Sequence, residues 1–123
     1  SQHIVKEMIR QALRHEAKRI LTEKTRKFAQ ELQLQVNDVK INKSVSCWGS
    51  CSRRKTINFS YYTMLLSEKQ IDYVILHELA HTIELNHSEK FWELLDSFCD
   101  EDAKAISRSL KNYQSTAYQL LRP

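Results

Sequence analysis

Ile71-Asp72-Tyr73-Val74-Ile75-Leu76-His77-Glu78-Leu79-Ala80-His81-Thr82-Ile83-Glu84-Leu85 is the stretch that decides the fold. Wound as a helix it is apolar on nearly every side, and such a helix is buried. Ser67, with Gln70 three residues on, supplies a capping box to start it. His77 and His81 stand at i and i+4 on one face, so their ring nitrogens can converge on a single tetrahedral ion. Glu78 is about a quarter-turn away. It cannot easily ligate the same ion, but it can reach a water held there. That is the geometry of a general base beside a metal.

A five-residue H-E-x-x-H match arises by chance in a chain of this length about once in 100. Helical register and the preceding Val74-Ile75-Leu76 run narrow it further. Buried histidines need a partner, either an ion or a backbone hydrogen bond. His87 lies six residues beyond His81, an offset that points to another face of a continuous helix. The helix is therefore expected to end between them. Asn86, which tolerates left-handed backbone, is the expected stop, after which His87 swings back to the metal. The alternative is a surface histidine in a loop. The same spacing of three histidines occurs in metzincins, which turn at a midway glycine; Glu84 fills that slot here, so the turn must be built differently. Three imidazoles leave a fourth position open, the mark of a catalytic rather than a structural site.

Outward from this core, Ser88 is positioned to cap a helix from Glu89 to about Cys99, anchored in the core by Phe91 and Trp92, with a last helix from Glu101 to about Tyr118. Upstream, Thr56–Tyr61 alternates as a strand, and a second strand starts near Val39 after the Asn37-Asp38 turn. Between them, Trp48-Gly49-Ser50 carries the single glycine, which implies a special backbone conformation or a close approach. An edge strand here could pair with an extended peptide; a plain structural turn is the other reading. Residues 2–34 read as one long helix with a core stripe of Leu13, Ala17, Ile20/Leu21, Phe28 and Leu32. Lys6, Arg10, Arg14 and Lys18 form a basic stripe on another face, read either as solvated surface or as a nucleic-acid contact.

The chain has 123 residues, one domain's worth over 1–123, with 41% apolar and 28% charged residues. One Gly and one Pro argue against an all-β sandwich or barrel. No apolar run approaches the roughly 18 residues of a membrane span, and the charged residues throughout 1–30 do not read as a signal peptide. Cys47, Cys51 and Cys99 give no disulfide framework, so the cytoplasm is the default compartment. Cys47 and Cys51 could suggest a second metal, but no second Cys/His pair stands at usable spacing; buried thiols are the simpler reading. Residues 1–60 hold 13 basic and five acidic residues, and 61–123 six and ten, so a net +8 faces −4. That asymmetry hints at an acidic partner for the first half.

The His77-Glu78-Leu79-Ala80-His81 block, followed by Leu85-Asn86-His87-Ser88 and Phe91-Trp92, resembles the YgjP-like metallopeptidase family, with SprT-like proteases as more distant relatives. A second block, Trp48-Gly49-Ser50-Cys51-Ser52, agrees in order and spacing, as do Ile57-Asn58 and the Ile71–Val74 lead-in. The resemblance runs from about Leu13 to Tyr113. It implies a compact zincin-like α+β fold: a long N-terminal helix, a small mostly antiparallel sheet, a buried metal-binding helix and C-terminal helices. It implies His77, His81 and His87 as zinc ligands and Glu78 as catalytic base. Many members carry an additional N-terminal β segment, whereas this chain starts near the long helix. Cys47 stands where the family has Arg, and Tyr61-Tyr62 where an aromatic–Arg pair is usual. Both changes remove cations near the cleft and bear on substrate preference.

The expected activity is zinc-dependent hydrolysis of polypeptide, with Glu78 activating water on one Zn2+ per chain. Trp48, Gly49 and Ser50 are candidate substrate contacts, and Tyr61 and Tyr62 candidate oxyanion donors. The rival expectation is a metal-containing nucleic-acid- or protein-binding module with little hydrolysis, docking through the basic helix.

Overall fold

The computed structural model describes residues 1–100 and 102–111. Its first element, α1 (Gln2–Leu32), ends where Gln33 takes a left-handed conformation (φ 58°) and turns its N–H back onto the carbonyls of Ala29 and Gln30. The buried row is Ala17, Leu21, Thr25 and Ala29, at strict i+4 spacing. Two of the four are alanines, which allow close approach to the layer beneath. Leu13, Phe28 and Leu32 flank that row and are only partly buried.

Three strands follow: β1 (Asp38–Asn42), β2 (Gly49–Cys51) and β3 (Thr56–Ser60). Their order is β1-β3-β2, with β3 central and its Ile57 and Phe59 fully buried. The sheet is mixed. β2 pairs with β3 antiparallel, as expected for most of the sheet, but β1 pairs with β3 parallel. The reason is connectivity: the chain leaves β1, lays down β2 on the far side of the β3 position, and re-enters along the β1 direction. Lys55, at φ 62°, makes the tight return into β3, its N–H donating to the Ser52 carbonyl at 2.9 Å.

A short 3-10 helix (Tyr61–Leu65) leads into α2 (Glu68–Ala80). The expected capping box is present: Gln70 N–H donates to Ser67 Oγ at 3.2 Å, and Ser67 N–H to Gln70 Oε1 at 3.1 Å. Val74, Ile75, Leu76, Leu79 and Ala80 are all buried, so α2 is the spine of the core. Lys24 of α1 joins the two helices through Asp72 (2.8 Å) and Glu68 (3.4 Å). The helix α3 (Glu89–Phe98) begins at Ser88, whose Oγ accepts from Phe91 N–H, and buries Phe91 and Leu95. Residues 103–111 are helical and dock through buried Ala103 and Leu110. The rest of the last expected helix lies outside the described residues. Among the described residues no helix is long and apolar enough to cross a membrane.

The basic stripe on α1 is partly consumed by the domain itself. Arg10 forks onto the Glu7 carboxylate at 3.0–3.1 Å, and the Arg14 guanidinium lies 5.4 Å from the centre of the Tyr61 ring. The stripe is therefore not an uninterrupted cationic face.

Candidate metal centre

The three histidines meet. One ligand atom from each of His77, His81 and His87 lies within 4.8 Å of the others. His77 comes from the last turn of α2, His81 caps that helix, and His87 precedes α3. The break falls earlier than expected. The helix stops at Ala80, and a tight turn follows in which Ile83 and Glu84 N–H groups both donate to the Ala80 carbonyl (3.1 and 2.9 Å). The Thr82 hydroxyl donates to the Leu79 carbonyl at 2.6 Å. Neither Asn86 nor any other residue of this turn has positive φ. Asn86 is therefore not the stop; backbone hydrogen bonds over residues 79–84 reverse the chain instead.

That turn also sets the chemistry of His81. Its Nδ1 is 2.9 Å from the Glu84 carbonyl oxygen, which can only accept. Nδ1 therefore carries the proton, and Nε2 presents a lone pair. Nε2 in turn lies 3.0 Å from Nε2 of His87. Two imidazole nitrogens so close need a proton or a cation between them. A tetrahedral ion with Zn–N bonds of about 2.0–2.1 Å holds its ligand nitrogens roughly 3.4 Å apart, so the donor set fits such an ion with little movement. Partial desolvation of this otherwise exposed ring, then the neighbouring His77 and His81, hold His87 below the ordinary imidazole range, toward the neutral form that ligates.

Phe91 is the floor of the cluster. Its ring stacks on His81 at 4.4 Å and meets His77 and His87 edge-on at 5.0 and 4.8 Å. Because Phe91 is fully buried, it limits the rotation of all three imidazoles. Glu78 stands outside the ligand cluster, 4% exposed, with Oε2 3.0 Å from Nδ1 of His77. On its other side runs the β2 backbone. A Cβ on Gly49 would stand 3.0 Å from Glu78 Cγ and 3.2 Å from the Asn58 carbonyl oxygen. Gly49 has no positive φ, so close approach and not conformational freedom explains the glycine.

An open cleft of about 370 Å³ runs past these groups, lined by Trp48, Gly49, Tyr73, His77, Glu78 and His87 among others. Of the three expected substrate contacts, Trp48 and Gly49 are in its wall. Ser50 is exposed, paired with Asn58 in the sheet, and outside the cleft. The Trp48 carbonyl is fixed by Ser60 N–H (2.9 Å) and the Thr63 hydroxyl (3.1 Å). Tyr61 and Tyr62 are not near: they are buried and line a separate cleft against α1 with Arg10 and Arg14. The three cysteines are free thiols, and burial pushes Cys51 and Cys99 up to about 11. Cys47 donates to the Gly49 carbonyl at 2.8 Å.

Three contributors were not singled out from sequence for what they do here: the Glu84 carbonyl, Phe91 as floor, and Tyr73. Only Tyr73 left a signal, since it precedes His77 by four residues and so shares its helix face. Its ring centre is 5.8 Å from that of His77. Burial pushes the Tyr73 phenol up to about 12, which keeps it protonated at neutral pH.

The comparisons with known proteins agree with this geometry. The family model described as YgjP-like, metallopeptidase domain, matches residues 1–113. The fold is similar to the metallopeptidase zymogen abylysin of Pyrococcus abyssi, at 26% identity and TM-score 0.63, over 76% of this chain and 94% of that one. It is also similar to the zymogen jannalysin of Methanocaldococcus jannaschii, at 23% identity and TM-score 0.59, over 75% and 94%. No curated protein matches the sequence.

Proposed function

This chain belongs to the YgjP-like metallopeptidase family, and from that premise we propose that His77, His81 and His87 hold one zinc ion and that Glu78 is the general base of peptide hydrolysis. The observation that carries the ligand assignment is His81, whose proton is tied to the Glu84 carbonyl while its free nitrogen faces His87 at 3.0 Å. Three imidazoles suit zinc among the available divalent ions, and one position stays open for chemistry. Bound there, the ion supplies Lewis acidity, acidifying water and polarising the scissile carbonyl.

The chain's own groups do the rest. Glu78 takes the proton of the attacking water at a carboxylate oxygen and returns it to the departing amine nitrogen. Burial under β2 holds that carboxylate in one place. The substrate is an extended polypeptide. β2 is the edge strand of the sheet beside the cleft, so its outer backbone groups can pair with a peptide while Trp48 and Gly49 form the wall. Free thiols suit a reducing compartment such as the cytoplasm.

The test is zinc content and cleavage of fluorescently labelled casein by the zinc-loaded parent and by Glu78→Gln. The variant should keep its zinc and lose about 10²–10⁴-fold in kcat. Hydrolysis retained in Glu78→Gln would remove Glu78 from the mechanism.

A further inference from the structure

The cleft of about 560 Å³ between α1 and the 3-10 helix is lined by Arg10, Arg14, Lys43, Tyr61 and Tyr62, with Glu7 as its one acidic group. Both tyrosines are buried, whereas Arg14 and Lys43 are exposed. Glu7 is taken by Arg10 at 3.0 Å. Arg14 lies over the Tyr61 ring, and among the described residues neither Arg14 nor Lys43 forms an ion pair. Two positive charges over an aromatic floor are thus left uncompensated by the domain. Lys6 and Lys18 of the same helical stripe do not line this cleft. The charge is therefore local, and it suits one or two carboxylates better than a run of phosphates.

One short segment separates this cleft from the metal centre. Val45 lines the basic cleft, and Ser46, the next residue, lines the cleft past Glu78 and His87. The segment is pinned in place. The Ser60 hydroxyl donates to the Ser44 carbonyl at 2.6 Å, and Ser60 N–H to the Trp48 carbonyl at 2.9 Å. Ser44 Oγ accepts from the N–H groups of Ser46 and Cys47 at 3.3 and 3.2 Å. Because β2 is an edge strand that begins at Gly49, a peptide paired with its outer side and running past its start meets this segment next.

We propose that the cleft holding Arg14 and Lys43 is an exosite for acidic side chains, so that this protein prefers polypeptides with Asp or Glu flanking the scissile bond. An extended polypeptide advances about 3.3 Å per residue, so residues a short way from that bond can cross the 44–48 segment. Exposed charges of this kind act on encounter and specificity more than on the chemical step, and salt screens them. The inference rests on the metal cleft being a peptidase site.

The test uses fluorogenic peptides of one sequence that carry three aspartates or three asparagines, on either the N-terminal or the C-terminal side of the labelled core. At low salt the zinc-loaded parent should cleave one of the aspartate peptides about 5–10-fold better in kcat/KM than its asparagine counterpart, and raised salt should shrink that ratio. In the double variant Arg14→Gln, Lys43→Gln the ratio should fall to near one. Arg14→Lys, which keeps the charge, should keep the preference. If the double variant does not fold, Lys43→Gln alone should lower the ratio about twofold or more. A ratio within twofold of one in the parent, or one that the double variant leaves unchanged, overturns the proposal. If the zinc-loaded parent cleaves none of the peptides, the peptidase reading falls instead. Fluorescence anisotropy of the labelled aspartate peptides then decides: weaker binding by the double variant upholds the exosite, and equal binding overturns it. A single-stranded DNA oligonucleotide that binds the parent more tightly than the aspartate peptides, and loses that binding in the double variant, would make the cleft a phosphate site and overturn the proposal as well.

Discussion

The two ends of α2 belong to one 13-residue helix and are built on opposite plans. At its N-terminus polar groups find partners inside the chain: Ser67 and Gln70 cap each other, and Asp72 and Glu68 share Lys24. At its C-terminus the valences are incomplete. Nε2 of His81 faces Nε2 of His87 at 3.0 Å, with no cation or proton assigned between them. The difference separates what a helix needs in order to fold from what it holds ready for something else. Caps and ion pairs at the first end are worth folding free energy. Converging lone pairs at the other cost it, unless a cation completes them.

Substituting one end at a time tests that separation. The largest effect belongs to His87→Ala. The His87 side chain is exposed, so its loss should change the stability of the metal-free protein by no more than about 0.5 kcal/mol. Zinc content by elemental analysis should nevertheless fall from near one per chain to a small fraction, and casein cleavage with it. A variant that keeps its zinc would mean that His77 and His81 suffice and that the converging third nitrogen is incidental.

Gly49→Ala sharpens the comparison from outside the helix. The added methyl meets Glu78 Cγ at 3.0 Å, and the Asn58 carbonyl oxygen and Phe59 Cδ1 at 3.2 Å, so either β2 or Glu78 must move. Overpacking of this kind costs about 1–3 kcal/mol, measurable by denaturant unfolding. Zinc content should hold, because the three atoms nearest the added methyl belong to Glu78, Asn58 and Phe59 and not to a histidine, while kcat should fall as Glu78 is displaced. Loss of zinc together with kcat would show that β2 supports the ligands and not the base alone.

Much of this division was legible in the sequence, and the illegible parts share a cause. The capping box, the buried helix and the three converging histidines follow from spacing, because helical geometry turns offsets of three and four residues directly into neighbours. The stop at Ala80 was not legible. Asn86 offered a residue-type signal, whereas the actual turn is made by backbone hydrogen bonds and the Thr82 hydroxyl, which leave little mark on residue choice. The parallel pairing of β1 with β3 was hidden for a similar reason, since strand direction depends on a path through 43–55 that local alternation does not encode. Tyr61 and Tyr62 were adjacent in sequence to a strand of the site but turn toward α1, where Arg14 stacks on Tyr61. Placement of a side chain relative to a cleft is a tertiary property: Trp48 and Gly49 line the cleft as expected, while their neighbour Ser50 does not.

The smallest expected effect lies at the satisfied end, in Lys24→Met. The hydrogen bond from Lys24 to Asp72 does most to raise the Lys24 pKa, against desolvation, with the charges of Asp72 and Glu68 adding to it. A folded-state value above the unfolded one of about 10.4 means that the charged lysine favours the folded chain. That contribution is complete below about pH 10 and is lost as pH rises through the folded value. The Lys24 and Asp72 side chains are 28% and 32% exposed, so the pair is partly screened and worth roughly 0.2–1 kcal/mol. Denaturant unfolding of metal-free parent and Lys24→Met should differ by that amount at pH 8 and converge as pH rises through the raised folded-state value of Lys24. At pH 8 the variant should bind zinc and cleave casein as the parent does, because Asp72 stands about 1.4 turns of α2 before His77 and about 2.5 before His81. A variant of unchanged stability that cleaves poorly would join the two ends of the helix into one functional unit, and the division between them would have to be redrawn.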